Sequence, residues 1–404
     1  MTRRGTVATA VLLLTACEPS VALLDPEASD ESDSVALSVV VGDPLLAERL
    51  GVAPGSGVPG ATVHLRRNET PGVQSFDTDA SGELRLADVP SALYWIWAEK
   101  WLGAERPPAS PPVLGGGLLQ SLKRGEAASV DVRPHQRGSL VISEFHYAHA
   151  PAEILELNTA YRFYFYIEIT NESDETIYLD GKIVGGAFSY NTDSPAWPCS
   201  ETAAYRNELR GLYAQSFQAF PGSGSEYPLE PGGVVVIAEQ AIDHSAIYPG
   251  LPDLSGADFQ FYWEDRALNP DVPTMLPIHL RLYDAMFSRL NAAPFIAEKI
   301  DLGSLERVSN IQGEFALFPR EVILDMAAIH NEFQLVRVLS SLCKNFVDVS
   351  LDPLGAFASP SEQRPDAHLL SAQRKLLPDG SGLQRTGVSA VDWEIRPRSP
   401  GRIP

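Results

Sequence analysis

Alternating apolar and polar positions dominate the chain from residue 34 onward, and they predict short β-strands. In residues 61–67, ATVHLRR, Val63 and Leu65 share one face while His64 and Arg66 lie on the other. This is the period-two pattern of a half-buried strand. Similar signals recur at 34–41, 72–79, 82–89, 93–101 and 127–134. Several short strands separated by turn residues predict a small β-sandwich domain over residues 34–134.

The strongest strand signal lies in residues 161–181, YRFYFYIEITNESDETIYLDG. Aromatic and β-branched residues alternate along its first half. A turn rich in Asn, Ser and Asp follows, and Asp180-Gly181 closes a second short strand. This order predicts a β-hairpin. The alternation places four apolar side chains in the core, namely Phe163, Phe165, Ile167 and Ile169.

The rest of the chain gives further strand signals and two long irregular segments. The strand candidates are 140–147, 181–190, 278–284, 321–329 and 389–395, and residues 227–242 are predicted to be a turn followed by a buried strand. The irregular segments are a polar insertion over 191–226 and a loop over 243–275, and short helices are favoured within 201–215 and 332–345. The predicted fold class is mainly β, with a second β-sandwich domain over residues 140–400 that carries long insertions and one or two short helices.

Residues 1–17, MTRRGTVATAVLLLTAC, have the organisation of an export signal. Two arginines precede a short apolar run over residues 7–14, and small residues then lead to Cys17. The run is too short to span a bilayer, so residues 1–16 are predicted to be a cleaved signal peptide.

The tetrapeptide Leu14-Thr15-Ala16-Cys17 resembles the bacterial lipobox. The resemblance implies diacylglyceryl transfer to the Cys17 thiol, cleavage before Cys17 and acylation of the new amino terminus. Several acyl chains together hold a soluble domain on a membrane. The alternative is an ordinary signal peptide in which Cys17 has no such role.

Residues 17–33 are acidic and rich in small residues, which predicts a flexible tether.

The net charge limits the classes of molecule that the protein could bind. The chain has 31 Lys and Arg against 52 Asp and Glu, a formal net charge of −21. This balance argues against nucleic acid as a partner and against a basic patch that binds anionic lipid.

Two further cysteines, Cys199 and Cys343, follow the lipobox cysteine. Export would place them in an oxidising compartment, where a Cys199–Cys343 disulfide would stabilise the fold by about 2–4 kcal/mol. Two buried free thiols are the alternative, because spacing in sequence does not give a distance in space.

Part of the N-terminal region resembles the carboxypeptidase regulatory-like fold. The matching blocks are Gly60–Leu65, Thr78–Leu84, Val89-Pro90 and Tyr94–Ala98. That family is a transthyretin-like sandwich, often a spacer on exported proteins, and it implies no catalytic residues.

The second region resembles a lamin-tail-type domain, which is an immunoglobulin-like sandwich. The matching blocks are Leu140–Glu144, Tyr166–Asn171, Ser173–Glu175, Tyr178–Gly181 and Leu229–Ala238. Further blocks resemble more closely an uncharacterised family of bacterial surface lipoproteins, in which a regulatory-like domain precedes this one. These are Phe220–Gly222, Asp253–Phe259, Arg374-Lys375 and Asp392–Glu394. The resemblance implies a protein of the cell envelope without an established activity.

One group of side chains could support metal or acid–base chemistry. In residues 140–147, LVISEFHY, alternation puts Ile142, Glu144 and His146 on one face. If this strand pairs with residues 162–171, Glu168 joins Glu144 and His146 on the face away from the core. Two carboxylates and an imidazole can bind a divalent metal. The alternative is a structural site in which tyrosine hydroxyls or backbone amides donate to the glutamates.

Two other groups have a functional and a structural interpretation. The aspartates of DLSGADFQFYWED, residues 253–265, could bind calcium or could form a solvated turn. Trp95, Trp97 and Trp101 share a strand face, where they could stack on a sugar, although burial in a core is favoured.

The sequence contains none of the common catalytic motifs, such as G-x-S-x-G, H-E-x-x-H, C-x-x-C or a P-loop. No cofactor is predicted. The favoured function is a non-catalytic lipoprotein, anchored through Cys17 at the outer membrane or cell surface rather than the inner membrane, that binds an envelope protein or a glycan. One alternative is an accessory of substrate or metal uptake across the outer membrane. Another is a metal-dependent hydrolase that uses Glu144, His146 and Glu168.

Overall fold

The computed structural model describes residues 34–67, 73–102, 113–134, 138–146, 164–187, 211–264, 268–278, 291–292, 294–310, 313–327, 329–330 and 367–402. The predicted signal peptide and tether, the helix expected over 332–345, Phe163 and all three cysteines lie outside these residues. Among the described helices, none has the length and hydropathy needed to cross a membrane.

The strands within residues 34–134 form two sheets that face each other. Their bounds are β1 (Ser34–Val41), β2 (Ser56–Gly57), β3 (Thr62–Arg67), β4 (Val73–Asp77), β5 (Glu83–Ala87), β6 (Ala92–Trp101), β7 (Val113–Leu122), β8 (Ala127–Asp131) and β9 (Arg133–Pro134). One sheet has the order β2-β1-β5 with β8 parallel to β1, and the other has the order β4-β3-β6-β7-β9. We call residues 34–134 the N-terminal sandwich.

Alternating side chains fill the space between these two sheets. The core includes Leu37 and Val39 of β1, Val63 and Leu65 of β3, and Ile96 of β6, so the predicted face of β3 is confirmed. A short helix, α1 (Pro44–Leu50), follows β1 and begins where the Asp43 carboxylate accepts a hydrogen bond from the Leu46 amide at 2.8 Å. Strand β7 was missed, because its run of glycines gives little strand signal.

The strands after residue 139 form two larger sheets and two small two-stranded ones. Their bounds are β10 (Leu140–His146), β11 (Tyr166–Asn171), β12 (Ile177–Tyr178), β13 (Ile183–Ala187), β14 (Gly211–Ala219), β15 (Pro228–Leu229), β16 (Val234–Ala238), β17 (Phe259–Gln260), β18 (Leu276–Pro277), β19 (Asn291–Ala292), β20 (Pro294–Ala297), β21 (Arg307–Asn310), β22 (Gly313–Pro319), β23 (Ile323–Met326), β24 (Ile329–His330), β25 (Leu370–Arg374) and β26 (Trp393–Pro397). A helical turn, α2 (Ser389–Asp392), precedes β26, and short 3-10 helices occupy His244–Ala246, Leu302–Ser304, Arg320–Val322 and Ala367–Leu369.

The six-stranded sheet has the order β17-β16-β11-β10-β25-β26, and the seven-stranded sheet contains β21-β22-β14-β13-β20-β23 with β18 beside β14. A shared core lies between them and includes Phe145 and Ile167 from the first sheet and Val184 and Ile296 from the second. We call this part the C-terminal sandwich. The protein is therefore mainly β and built of stacked sheets, which confirms the predicted fold class.

The predicted hairpin over residues 161–181 is wrong in its pairing. Strand β11 pairs with β10 and β16, whereas β12 pairs with β15. The turn at Asn171 causes the difference, because the buried Asn171 amide donates to the carbonyls of Glu175 and Leu229, each at 2.8 Å. These bonds direct the chain out of the six-stranded sheet. The core positions of Ile167 and Ile169 are nevertheless confirmed, and Phe165 is buried as well.

Three other expectations need correction. Residues 191–226 are expected to be a polar insertion with a helix within 201–215, but they contain strand β14. This strand lies between β22 and β13 in the seven-stranded sheet. The loop expected over 243–275 supplies Phe259, Phe261 and Trp263 to the shared core. Residues 389–392 are helical, so the last strand begins at Trp393. In each case burial against distant strands overrides the local pattern.

Candidate functional site

The pairing of β10 with β11 brings the three predicted side chains together. Glu144 lies directly opposite Glu168 in the register, and His146 lies opposite Tyr166. All three predicted residues are completely buried, on the face of the six-stranded sheet that points away from the shared core. We call this group, with Tyr166, the carboxylate cluster.

A β-bulge at Ser143 sets which side chains reach this face. The register advances by one extra residue between Ile142 and Glu144, so Ile142 points into the core together with Phe145. The expectation that Ile142 shares the face of Glu144 was therefore wrong. A bulge locally reverses the alternation of inward and outward side chains, and the local sequence pattern does not predict it.

Glu144 is satisfied entirely by groups of the protein. Its Oε1 accepts hydrogen bonds from the Tyr166 hydroxyl, from the Ser371 hydroxyl at 2.6 Å and from the Ser399 amide at 2.9 Å. Its Oε2 accepts one from the Ser399 hydroxyl at 3.0 Å. Burial, followed by the charge of Glu144, holds the pKa of Tyr166 well above its usual value, so this hydroxyl remains a donor.

Glu168 also has a donor at each oxygen. The Ser143 hydroxyl donates to its Oε1 at 2.7 Å, and the Gly401 amide donates to its Oε2 at 2.8 Å. Burial raises the pKa of Glu168 to about 7, the hydrogen bond from Ser143 opposes the rise, and the Glu144 carboxylate adds to it. Two carboxylates therefore lie side by side here.

His146 is neutral in this environment. Its Nδ1 donates to the Leu370 carbonyl at 2.8 Å, and its ring stacks on Tyr166 with 5.4 Å between ring centroids. Its Nε2 is buried and has no hydrogen-bond partner in the described part of the chain. Burial, with the nearby charge of Arg398, lowers the pKa of His146 to about 3.

A short segment, residues 398–402, closes the cluster from outside. Besides the amides of Ser399 and Gly401, it contributes Arg398, whose guanidinium donates to the Gly250 carbonyl at 2.6 Å and to the His368 carbonyl. Any ligand of the two glutamates would have to displace this segment. The contacts agree with the structural alternative, in which hydroxyls and amides satisfy the glutamates. In the ranges that the structure covers, no group of three or more His, Cys, Asp and Glu side chains is arranged to hold a metal ion.

Two aspartates of the 253–265 segment accept hydrogen bonds from groups of the protein. Asp253 accepts hydrogen bonds from the Ser255 amide at 2.9 Å and the Ser255 hydroxyl at 2.6 Å. Asp258 accepts one from the Val236 amide of β16 at 2.9 Å. The Asp253 contacts are those of turn formation, the second of the two interpretations, and the Asp258 contact joins the segment to the six-stranded sheet.

The tryptophan face of β6 is covered by the C-terminal sandwich. Trp95 and Trp97 are 3% and 7% exposed and contact Val388, Ala390 and Val391, whereas Trp101 is 37% exposed. Their burial agrees with the favoured core interpretation, although the contact lies between the two sandwiches rather than within one. Two of the three rings are thus unavailable for stacking on a sugar.

Sequence reasoning missed a buried charge network beside the bulge. The Arg374 guanidinium donates to the Ile142 carbonyl at 2.9 Å and to Asp325 at 2.7 Å, and Asp325 accepts from the Ile142 amide at 2.9 Å. Arg385 binds the other oxygen of Asp325 at 3.0 Å, and Asp392 lies 3.7 Å from Arg374. Side chains therefore satisfy both backbone groups at the bulge. The blocks around Arg374 and Asp392 were the available signal, but they carry no distance information.

The chain is a mainly β protein with a buried carboxylate cluster that residues 398–402 close. The chain matches no protein-family model and no curated protein. It is similar to the crystal structure of a DUF4876 family protein from Bacteroides thetaiotaomicron VPI-5482, with 18% identity, a TM-score of 0.48 and coverage of 92% of this chain and 98% of that one. It is also similar to a putative carbohydrate binding protein from Bacteroides uniformis ATCC 8492, with 14% identity, a TM-score of 0.17 and coverage of 51% of this chain and 99% of that one. At these TM-scores neither similarity carries an argument about function.

Proposed function

We propose that the chain is an exported, lipid-anchored, non-catalytic protein of the cell envelope that presents its C-terminal sandwich to a protein or glycan partner. The lipid on Cys17 holds it at the outer membrane or cell surface. Residues 17–33 form the tether, and the N-terminal sandwich is the spacer that carries residues 140–400 away from the membrane.

The observation that carries this proposal is the closure of the carboxylate cluster. Glu144, His146 and Glu168 have the chemistry that an acid–base or metal site needs, yet both carboxylates are occupied by donors of the protein and covered by residues 398–402. A site of this kind stabilises a sheet. Recognition is then expected on surface loops, and residues 243–250 supply one, with Ile247 53% exposed.

The anchor is tested by Cys17→Ser in the full chain, with Cys199→Ser as the matched control. Without the lipobox thiol no lipid can be attached, so we expect Cys17→Ser in the soluble fraction and Cys199→Ser in the membrane fraction after cell fractionation. Crosslinking the same cells and identifying captured envelope proteins or glycans should give a partner for the anchored forms. Membrane retention of Cys17→Ser at the level of the unaltered protein would contradict the anchoring.

A further inference from the structure

Besides the covalent connection near residue 135, the two sandwiches meet at a turn that contacts within the C-terminal sandwich hold in shape. We call residues 386–392 the docking turn. The Asp392 carboxylate accepts hydrogen bonds from the Thr386 amide at 2.8 Å, the Thr386 hydroxyl at 2.8 Å and the Gly387 amide at 3.1 Å. Gly387 has a φ of +78°, which favours glycine at this position.

Residues outside the turn hold it in the C-terminal sandwich. The Gln384 amide group donates to the Val391 carbonyl at 3.0 Å, and the Lys375 amide donates to the Asp392 carbonyl at 2.8 Å. Arg374 lies 3.7 Å from the Asp392 carboxylate and stacks over Trp393 at 4.7 Å. The turn therefore keeps its shape through contacts of the C-terminal sandwich alone, and docking orders little additional chain.

The N-terminal sandwich offers a complementary surface on β6 and β7. Trp95 and Trp97 cover the apolar side chains of the docking turn. The ring of His64, on the neighbouring strand β3, stacks on Trp97 with 5.3 Å between centroids. Gly115 of β7 gives the turn room, since a Cβ at this position would lie 2.5 Å from the Thr386 hydroxyl oxygen.

The described residues on either side of the covalent connection lie in the same region. Strand β9, where the N-terminal sandwich ends, pairs with β7 at Gly115. On the other side of the connection, a Cβ at Gly138 would lie 3.4 Å from the Arg385 guanidinium. Two attachments, one covalent and one through two buried tryptophans, oppose rotation of one sandwich against the other.

We propose that the docking turn locks the two sandwiches into one rigid arm. The consequence of this lock at the membrane rests on the proposed function. The distance from the membrane that the anchored protein can reach is then set by the tether, and not by bending between the two sandwiches near residue 135. The lock itself is tested on purified protein without a membrane, so its failure is distinguishable from failure of the anchoring.

The test compares Gly115→Val with Gly256→Val as the matched control, because a Cβ at Gly256 meets nothing within 4 Å. Calorimetry of the unaltered protein and of the control should show a single unfolding transition that includes both sandwiches. Gly115→Val should show two transitions, at least tenfold faster hydrogen exchange in residues 92–98 and 386–391, and a larger radius of gyration by small-angle X-ray scattering.

Two separate transitions in the unaltered protein would overturn the proposal, and so would a Gly115→Val protein that matches the control in all three measurements. If Gly115→Val does not fold, Trp97→Ala opens the same contact by removing a ring and is judged by the same measurements.

Discussion

At the scale of single residues, Asp180 connects distant stretches of the chain through its carboxylate. Its two oxygens accept hydrogen bonds from the amides of Gly224 at 3.0 Å, Glu226 at 2.9 Å and Tyr227 at 3.0 Å. Gly222 makes this approach possible, since a Cβ there would lie 2.1 Å from the carboxylate. Burial alone would raise the pKa of Asp180, but the amide donors lower it to about 2.

Asp180→Asn is expected to reduce the free energy of unfolding by about 1–3 kcal/mol, because asparagine offers one oxygen to three amides and turns its own N–H groups toward a donor. Urea unfolding above pH 4, where the Asp180 carboxylate is charged, measures the change. Asp271→Asn, at an exposed position, is the control. Equal stability of the two variants would show that the amide contacts contribute nothing.

Buried titratable residues make stability depend on pH in two opposite ways. Burial raises the pKa of Glu168 to about 7 and that of Asp392 to about 6, so the stability that these residues contribute is present at low pH and is lost as the pH rises through those values. Burial lowers the pKa of His146 to about 3 and that of His244 to about 4, so their contribution is lost as the pH falls below about 6.5. Between about pH 4.5 and 6 these effects oppose each other.

Single substitutions should separate the two effects. In Glu168→Gln, the stability relative to the unaltered protein should rise with pH between 4.5 and 7, since the variant has no proton to release; one linked proton corresponds to about 1.4 kcal/mol per pH unit. In His146→Asn, the relative stability should rise as the pH falls from 6.5 toward 3. Unfolding at fixed temperature across pH 3–8 measures both. Differences that stay constant with pH would contradict the assignment.

At the scale of elements, Arg374 joins four strands of the C-terminal sandwich. From β25 it binds the Ile142 carbonyl of β10 and Asp325 of β23, and it stacks on Trp393 of β26. Buried charges of this kind are costly when one partner is removed. The network also satisfies the backbone carbonyl and amide of Ile142 at the bulge. The bulge in turn directs the Glu144 side chain to the face of the sheet that holds the carboxylate cluster.

Arg374→Met is expected to lower the free energy of unfolding by about 3–5 kcal/mol, because Asp325 and Asp392 then lose a buried partner. Arg396→Met is the matched control in the same sheet. Arg396 pairs with Glu394 at 2.6 Å, but both side chains are more than a third exposed, so the loss should stay below about 1 kcal/mol. Thermal and urea unfolding compare the two. A small effect of Arg374→Met would mean that packing, and not the charge network, holds the bulge.

At the scale of the whole molecule, the carboxylate cluster and the tryptophan face of β6 are both covered by later segments of the chain. Residues 398–402 close the outer face of the six-stranded sheet, and residues 386–392 cover the tryptophan face of the N-terminal sandwich. Side chains that resemble a catalytic site and an aromatic platform are used for internal structure. Under the proposed function, recognition of a partner is accordingly expected on exposed loops, and attachment to the membrane is expected to depend on Cys17 and the tether.

The sequence by itself determined the fold class, many strand positions and the inward faces of several strands. Strand β1 occupies the predicted residues 34–41, and Ile167 and Ile169 lie in the core as their alternation requires. These properties depend on neighbours two or four residues away, so a local pattern contains them. Tertiary structure alone decided that β11 pairs with β10 and not with β12, that a bulge turns Ile142 inward, and that Trp95 and Trp97 meet residues about 290 positions later. Each of these depends on the free energy of contacts between residues distant in the chain, which no local pattern records.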